Sequence, residues 1–186
     1  MKTNILPAIK LTLLCLLLFS GFYTVAIYAI AQFAPNHGRG EIITQNGKTF
    51  YSNIAQNFSD NKYFSSRPSA VGYNAAGSGG SNKGLSNPDY LKDVQSRIDA
   101  FLVRNPTIDK SQIPSDLITA SGSGLDPHIS VQAALIQIPR IAKTRHLAEK
   151  DLQLLVQQQT EAPLLNSLGT VKLNVLKLNI ALDNIK

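Results

Sequence analysis

The longest apolar run of the chain lies near its start and contains no charged residue between positions 11 and 31. Twenty-one residues of α-helix span roughly 30 Å, the thickness of a bilayer's hydrocarbon core. Lys2 and Lys10 precede the run, and positive charge in a short N-terminal flank tends to stay in the cytoplasm. The pattern therefore predicts a transmembrane helix over residues 11–31, with residues 1–10 cytoplasmic and residues 32–186 extracytoplasmic.

Two other interpretations of the apolar run were weighed against a retained anchor. Residues 29–31 fit the small-x-small pattern of a signal-peptide cleavage site, and cleavage there would release a free periplasmic binding protein. The run is nevertheless longer than the usual 7–15 apolar residues of a signal peptide, and Tyr23 and Tyr28 lie where aromatic side chains anchor a membrane helix. A lipid attached to Cys15 is disfavoured because Leu14 precedes it where a small residue is expected. We favour the retained anchor.

The polar region after the helix begins with a hairpin pattern. Asn46–Gly47 separates two short alternating runs, and both of its residues tolerate the positive φ of a tight turn. The apolar spacing in residues 54–66 predicts a short amphipathic helix on the core. Residues 67–87 are rich in Gly, Ser, Asn and Ala and predict a long loop. Composition favours a flexible linker there, and the alternative is a binding loop whose backbone N–H groups face a ligand or partner.

A long amphipathic helix is predicted next. Asn87 and Pro88 have the pattern of an N-cap followed by proline at the first helical position. Apolar residues then recur at helical spacing, and the helix should end at Asn105 because Pro106 disfavours helical backbone in the residue before it.

The last third of the chain mixes short strands and helices. A short strand over 117–120 and a glycine turn over 121–124 come first, and Asp126–Pro127 has the pattern of another helix start. The apolar stripe that follows contains Pro139, which should kink or split the helix. The remaining predicted elements are a helix over 149–159, a strand near 170–176 and a closing helical turn over 178–185. The predicted fold is α+β: one transmembrane helix, then one mixed extracytoplasmic domain with short strands and about three to four helices.

Composition limits the function classes. Of 186 residues, the 155 after the anchor are enough for one domain with a real core, and they contain no cysteine, so packing alone must hold it. The chain carries a formal charge of +6, of which Lys2 and Lys10 supply two. The remaining modest excess could favour anionic headgroups or an acidic partner surface. A nucleic-acid partner is not expected, because no basic helix or aromatic-basic motif is present.

A group of nucleophilic and titratable residues lies close together in sequence. Ser121, Ser123, Asp126 and His128 could suggest a catalytic triad, but triad members are normally distant in sequence and the G-x-S-x-G pattern is absent. His37, His128 and His146 lack the spacing of a metal site, and there is no phosphate-binding loop. The sequence thus carries no independent enzyme signal. The alternative function retained is a membrane-anchored extracytoplasmic hydrolase that uses Ser123 and His128.

Three motifs of the chain are specific enough to compare with known families. The most specific is Ser123–Ile129, which reads SGLDPHI, preceded by Asp116–Ser121. A second motif covers Val171–Asn179, and the third combines Arg67–Ser69 with Gly79–Asn82 and Asn87–Pro88. Together they resemble the C subunit of the Kdp potassium-transporting P-type ATPase of bacteria, the KdpC family. The candidate partner-contact or motif residues taken from these matches are Gly80, Ser81, Asn82, Asn87, Pro88, Ser121, Ser123, Gly124, Leu125, Asp126, Pro127, His128, Asn174 and Asn179.

The resemblance implies a non-catalytic subunit of the high-affinity potassium-uptake pump in the bacterial inner membrane. In such complexes a channel-like subunit binds potassium, a P-type subunit hydrolyses ATP, and a small membrane subunit is also present. The C subunit is attributed a role in assembly and, as a catalytic chaperone, in raising the ATP affinity of the hydrolysing subunit. The resemblance therefore implies no catalytic, metal or firmly bound cofactor residue in this chain, while ATP and potassium act in the complex.

The predicted membrane topology conflicts with a direct contact between this chain and ATP. ATP is cytoplasmic, whereas the positive-inside pattern places residues 32–186 outside. We give the topology more weight and expect the outer domain to cap the extracytoplasmic mouth of the channel-like subunit. The Gly/Ser/Asn-rich segment and the Ser121–His128 turn are the expected contact surfaces.

Overall fold

The apolar run forms one continuous helix, α1 (Ile5–Ala31), in the computed structural model of the protein, which describes residues 4–163, 165 and 167–185. The helix is long and apolar enough to cross a membrane, and it begins six residues before the uncharged run. Its middle part, Leu17–Tyr23, has π-helical hydrogen bonding, and Thr24 Oγ1 donates to the Phe19 carbonyl oxygen at 3.1 Å. The side chains along α1 are mostly exposed, as expected for a helix whose partner is lipid or another membrane helix.

The predicted hairpin is confirmed. Strands β1 (Ile42–Gln45) and β2 (Lys48–Tyr51) pair antiparallel, and Asn46 and Gly47 form the two-residue turn between them. Both turn residues have positive φ, 50° and 73°, which is the geometry that matches the twist of paired strands. Residues 1–51 form one compact unit, and a second unit covers residues 52–186.

The second unit begins with a segment that has no regular secondary structure over residues 52–66, so the predicted helix over 54–66 is wrong. Its apolar side chains do reach the core: Phe64 is fully buried, and Phe58 and Tyr63 pack against the core. Apart from a turn bond from the Tyr63 N–H to the Asp60 carbonyl oxygen, however, the backbone bonds to distant groups. The Ala55 N–H, for example, donates to the Leu125 carbonyl oxygen at 2.8 Å. Tertiary hydrogen bonds replace the helical ones in this segment.

The long helix α2 (Pro88–Arg104) is confirmed with both of its predicted ends. The Asn87 side chain accepts hydrogen bonds from the N–H groups of Asp89 and Tyr90, which satisfies donors that have no partner within the helix. The helix ends before Asn105, ahead of Pro106.

Two predictions in the following segment are wrong. Residues 117–120 do not form a strand, since Ser115–Leu117 makes a 3₁₀ turn and the Thr119 hydroxyl donates to the Ser115 carbonyl oxygen at 2.7 Å. Asp126–Pro127 does not begin a helix, because His128–Ile129 forms strand β3. The next helix, α3 (Val131–Leu135), is capped by Ser130, whose hydroxyl accepts from the Ala133 N–H.

The remaining elements complete the α+β fold. The apolar stripe is split as Pro139 requires, into α3 and α4 (Ile138–Arg145), and α5 (Glu149–Gln158) follows as predicted. Strands β4 (Thr160–Glu161) and β5 (Lys172–Asn174) precede the last helix, α6 (Val175–Asp183). In the three-stranded sheet β5 lies between β3 and β4 and is antiparallel to both. The strand predicted near 170–176 is therefore shorter, because Asn174 already caps α6.

The core lies where α3 to α6 pack on this small sheet. Its buried side chains come from every one of these elements and from the irregular segment. The fully buried large apolar residues, each less than 2% exposed, are Phe64, Ile138, Ile141, Leu152, Val156, Leu173, Val175, Leu178 and Leu182.

Polar side chains inside this core hold the irregular segment in place. Asn179 on α6 is 2% exposed; its Oδ1 accepts from the Phe64 N–H and its Nδ2 donates to the Phe64 carbonyl oxygen, both at 2.9 Å. Gln137 is fully buried and accepts from the Ser65 N–H. Arg140 donates to the carbonyl oxygens of Asn61 and Tyr63. Burial lowers the pKa of Arg140 to about 10, with a further contribution from the nearby Arg104.

We predict that Asn179→Ala destabilises the second unit by about 2–4 kcal/mol, because it leaves two buried backbone groups of Phe64 without partners. Urea unfolding of the full-length protein in detergent, followed by circular dichroism, measures the loss. Asn184→Ala is the matched control, since Asn184 is exposed at the end of the same helix. Equal midpoints for the two variants would contradict the prediction.

Candidate functional site

The motif turn (residues 121–128) and the Gly/Ser loop (residues 67–87) fold against each other. The Gly79 N–H and the Ser78 hydroxyl both donate to the Ser123 carbonyl oxygen, at 2.8 and 2.9 Å. The Ser69 hydroxyl donates to the Gly124 carbonyl oxygen at 2.7 Å. The loop has no regular secondary structure before α2, as predicted, but these bonds make it a packed part of the second unit. The flexible-linker interpretation of residues 67–87 is therefore wrong.

Glycines allow the two segments to approach this closely. Gly124 has a φ of +69°, and a Cβ at this position would lie 2.6 Å from Val71 Cγ2 and 2.8 Å from the Gly79 carbonyl oxygen. A Cβ on Gly80 would lie 2.8 Å from the Gly122 carbonyl oxygen. At both positions, a side chain would collide with the facing segment.

A chain of charged side chains surrounds the end of the motif turn. Arg67 Nη1 lies 2.9 Å from Asp126 Oδ2, and the other carboxylate oxygen, Oδ1, is 3.3 Å from His128 Nδ1. His128 Nε2 in turn lies 3.8 Å from Glu161 Oε2 on β4. Glu161 also pairs with Lys177 at 3.1 Å and lies 4.0 Å from Lys172. The imidazole thus lies between two carboxylates, each of which has a cationic partner.

Asp126 is the group in this cluster whose acidity is strongly changed. The hydrogen bond from the His128 ring lowers the pKa of Asp126 most, and the His128 backbone N–H and the Arg67 guanidinium lower it further. Partial burial opposes these effects, and the resulting pKa is about 2. The aspartate is therefore a stably ionised anchor for Arg67 and His128 at neutral pH.

A cavity of about 620 Å³ opens beside this cluster. Arg67, Asp126, His128 and Lys172 contribute to its lining, together with hydroxyl groups such as that of Ser130. Arg67 Nε is buried without a hydrogen-bond partner in the described part of the chain. The lining carries both signs of charge, so it suits a polar surface of a partner better than a simple ion.

Several predicted site residues have structural roles away from this cluster. Asn87 caps α2. Asn174 caps α6 through its Oδ1, and its Nδ2 donates to the Ser52 carbonyl oxygen at 2.7 Å. Asn179 holds Phe64. Pro88 is the first residue of α2, and Pro127 supplies the carbonyl oxygen that accepts from the Val175 N–H.

The other predicted residues belong to the two facing segments themselves. Ser121 is buried, and its N–H donates to the Pro68 carbonyl oxygen at 3.2 Å. Leu125 offers its carbonyl oxygen to Ala55. Ser81 is exposed, and Asn82 has a φ of +52° with its side chain donating to the Gly80 carbonyl oxygen at 3.2 Å.

The geometry does not join Ser123 and His128 into a nucleophile–base pair. Ser123 Oγ accepts from the Leu125 N–H at 3.1 Å, and the His128 ring contacts the carboxylates of Asp126 and Glu161. Within the described ranges, no hydrogen bond links the serine hydroxyl to the imidazole, which a triad requires. The same ranges hold no group of three or more His, Cys, Asp or Glu side chains suited to a metal ion.

Four members of the cluster, Arg67, Glu161, Lys172 and Lys177, were not singled out as site residues from the sequence, although both lysines lie in the family-like motif Val171–Asn179. Arg67 lies in one of the family-like motifs, so its pairing with Asp126 had a weak sequence signal. Glu161 lies 33 residues after His128 in the sequence. The pairing of β3 and β4 with β5 brings it near the imidazole.

Comparisons with known proteins agree on one family. The family model described as KdpC, K+-transporting ATPase, c chain, matches residues 5–184. The potassium-transporting ATPase KdpC subunit of Flavobacterium psychrophilum is 54% identical over 184 residues, which cover 98% of this chain and 99% of that relative. The subunit of the same name from Flavobacterium johnsoniae is 53% identical with the same coverage. That of Bacteroides fragilis is 45% identical over 190 residues, covering 100% of this chain and 99% of the relative.

We predict that Gly124→Ala releases the Gly/Ser loop from the motif turn and destabilises the second unit by about 2–4 kcal/mol, because the added methyl both strains the backbone and overlaps Val71. Limited chymotrypsin digestion should then cleave at Tyr73 in the loop much faster than in the wild type. Gly122→Ala is the control, since a Cβ there meets no atom within 4 Å. Equal cleavage rates in the two variants would refute the docking of the loop.

We predict that Asp126 contributes to the acid sensitivity of folding. Its pKa is about 2 in the folded protein against 3.8 for an unperturbed aspartate, so its stabilising effect is present above about pH 4 and is lost as the pH falls toward 2. Allowing for a side chain that is one-third exposed, the effect is about 1–2 kcal/mol. Thermal unfolding measured from pH 5 to about pH 2 should show a flatter pH dependence for Asp126→Asn. Asp99→Asn, on the exposed face of α2, should keep the wild-type slope.

Proposed function

The chain belongs to the KdpC family, the c chains of K+-transporting ATPases, and on that premise we propose that it is the non-catalytic subunit that stabilises this potassium-uptake pump. The match over residues 5–184 carries the proposal, because it includes both the apolar helix and the whole folded part of the second unit. The absence of a serine–histidine hydrogen bond in the described part of the motif turn gives the hydrolase alternative no support.

The proposed topology has one membrane-spanning helix and an extracytoplasmic remainder. Helix α1 lies in the bacterial inner membrane and packs against the membrane part of the pump. Lys2 and Lys10 keep the N-terminus cytoplasmic, so residues 32–186 are extracytoplasmic.

The partner of the outer domain is proposed to be the channel-like, potassium-binding subunit, with the ATP-hydrolysing and small membrane subunits completing the complex. The Gly/Ser loop and the motif turn form the contact surface that caps the extracytoplasmic mouth of the channel. Two features support this choice: five hydrogen bonds between described residues fix the segments to each other, and much of their surface is exposed. Loops held on a rigid scaffold are the usual place for recognition.

The proposed effect on ATP affinity is indirect. An extracytoplasmic domain cannot touch cytoplasmic ATP, so a catalytic-chaperone role must act through the membrane part of the pump. In thermodynamic terms, the subunit binds one conformation of the complex better than another and thereby shifts the population toward the form with higher ATP affinity.

We predict that Ser111→Cys, in a chain that also carries Cys15→Ser, reacts with a membrane-impermeant thiol reagent in intact spheroplasts. Ser111 is exposed and lies outside the proposed contact segments, so the label can reach it. Thr3→Cys in the same background is the opposite control and should react only after permeabilisation. The reverse labelling pattern would overturn the proposed orientation.

Removal of this subunit tests the functional proposal itself. We predict that a pump purified through a tag on its ATP-hydrolysing subunit, from cells that lack this chain, is recovered in lower yield and has a higher KM for ATP. Restoring the full chain should reverse both changes. Unchanged yield together with an unchanged KM would contradict the proposal.

A further inference from the structure

A second cavity lies between α2 and residues 57–73, and it shares no lining residue with the cavity beside the Asp126 cluster. Its volume is about 240 Å³, and its walls include Arg97, Phe101 and Arg104 from one face of α2. The spacing of four and three residues places these side chains on the same side of the helix. Across from them lie Ser59, Ser65 and Tyr73. We call this cavity the arginine pocket.

The arginine pocket is cationic and rich in hydrogen-bond donors. Its lining, within the described residues, includes two guanidinium groups and no Asp, Glu, Lys or His. Burial lowers the pKa of Arg104, and Asp60, which lies outside the lining and pairs with Lys62, opposes this only as the smaller effect. The positive charge of buried Arg140 is also close to Arg104. The arginine pocket therefore has excess positive charge, carried by guanidinium groups that are partly shielded from water.

Part of this donor capacity is free for a ligand. Arg97 donates one hydrogen bond, to the Ile118 carbonyl oxygen at 3.1 Å, in the described part of the chain. A guanidinium has five N–H donors in a planar fork that matches a carboxylate. Arg104 by contrast is held by Asn61, Ser65 and the Asp60 carbonyl oxygen, which fixes its position at the pocket wall.

The size and the apolar walls select the class of ligand. A volume of about 240 Å³ is below the range of roughly 300–1,000 Å³ typical of sites for drug-sized ligands, so a nucleotide does not fit. The rings of Phe58 and Phe101 line the same cavity and suit methylene groups. An acidic side chain combines a carboxylate with such a short apolar stem, whereas inorganic phosphate lacks the stem.

We propose that the arginine pocket receives the carboxylate of an acidic side chain from another subunit of the pump. Because the occupant is taken to be a pump subunit, this assignment rests on the proposed function. It adds a second point of attachment, whose strength depends on charge and therefore on salt.

The first arm of the test uses the full-length chain alone, in detergent. N-acetylglutamate α-amide, which mimics the side chain, is titrated while NMR follows the Nε–H signals of Arg97 and Arg104. N-acetylglutamine α-amide is the neutral isosteric control. We expect saturable shifts with the acid only, and about tenfold weaker binding in Arg97→Gln, which removes one charge-assisted contact. Equal shifts with the acid and the neutral amide would overturn the carboxylate site.

The matched control variant is Lys92→Gln, which removes the same charge from an exposed position on the same helix and should bind like the wild type. Arg104→Lys gives a second measurement in case loss of the Arg104 contacts affects folding. It keeps the charge but loses the planar fork, so its binding should also weaken.

The second arm uses the assembled pump, immobilised through another subunit. We expect Arg97→Gln to be released at a lower salt concentration than Lys92→Gln or the wild type. Equal release, with acid binding in the first arm, would overturn the partner assignment and leave a free carboxylate as the occupant. If the wild-type chain itself is not retained at any salt concentration, the proposed function fails, and the first arm still decides whether the pocket binds a carboxylate.

Discussion

A buried backbone without regular secondary structure must find its hydrogen-bond partners in other parts of the chain, and the second unit is built around this requirement. Phe64 fills the core, yet its own N–H and carbonyl groups have no strand or helix to join. The Asn179 side chain bonds both of these groups, and the Gln137 side chain accepts from the next backbone N–H. The Arg140 guanidinium donates to two further backbone carbonyl oxygens of the segment. These three polar side chains make the segment part of the core. Loss of any one leaves buried groups unpaired, which is costly.

The same requirement produces the candidate contact surface. The Gly/Ser loop would be a mobile connection if its backbone had no partners, but the motif turn supplies carbonyl oxygens at Ser123 and Gly124 that fix it. Glycine at position 124 is necessary because no side chain fits between the segments. The result is an irregular yet ordered surface next to the Asp126 cluster. It is the surface for which we propose a partner contact.

Sequence patterns predicted the elements that local interactions determine. Helix α1, the Asn46–Gly47 hairpin and α2 with its Asn87 cap depend on apolar periodicity, turn chemistry and capping, which are all visible in a short window. The helices predicted over residues 54–66 and from Asp126–Pro127 are wrong because the hydrogen-bond partners of these residues are distant in sequence. The same reason applies to the site: the motif turn was recognised from its residues, whereas Glu161 joins it only through the sheet.

The most direct test of the proposed pump-subunit role is a gentle detergent purification through a C-terminal tag on this chain, with the eluate assayed for potassium-stimulated ATPase activity. We predict that two large membrane subunits co-elute and that the eluate hydrolyses ATP in response to potassium. Elution of the chain alone, without that activity even after crosslinking in cells that express the pump, would contradict it.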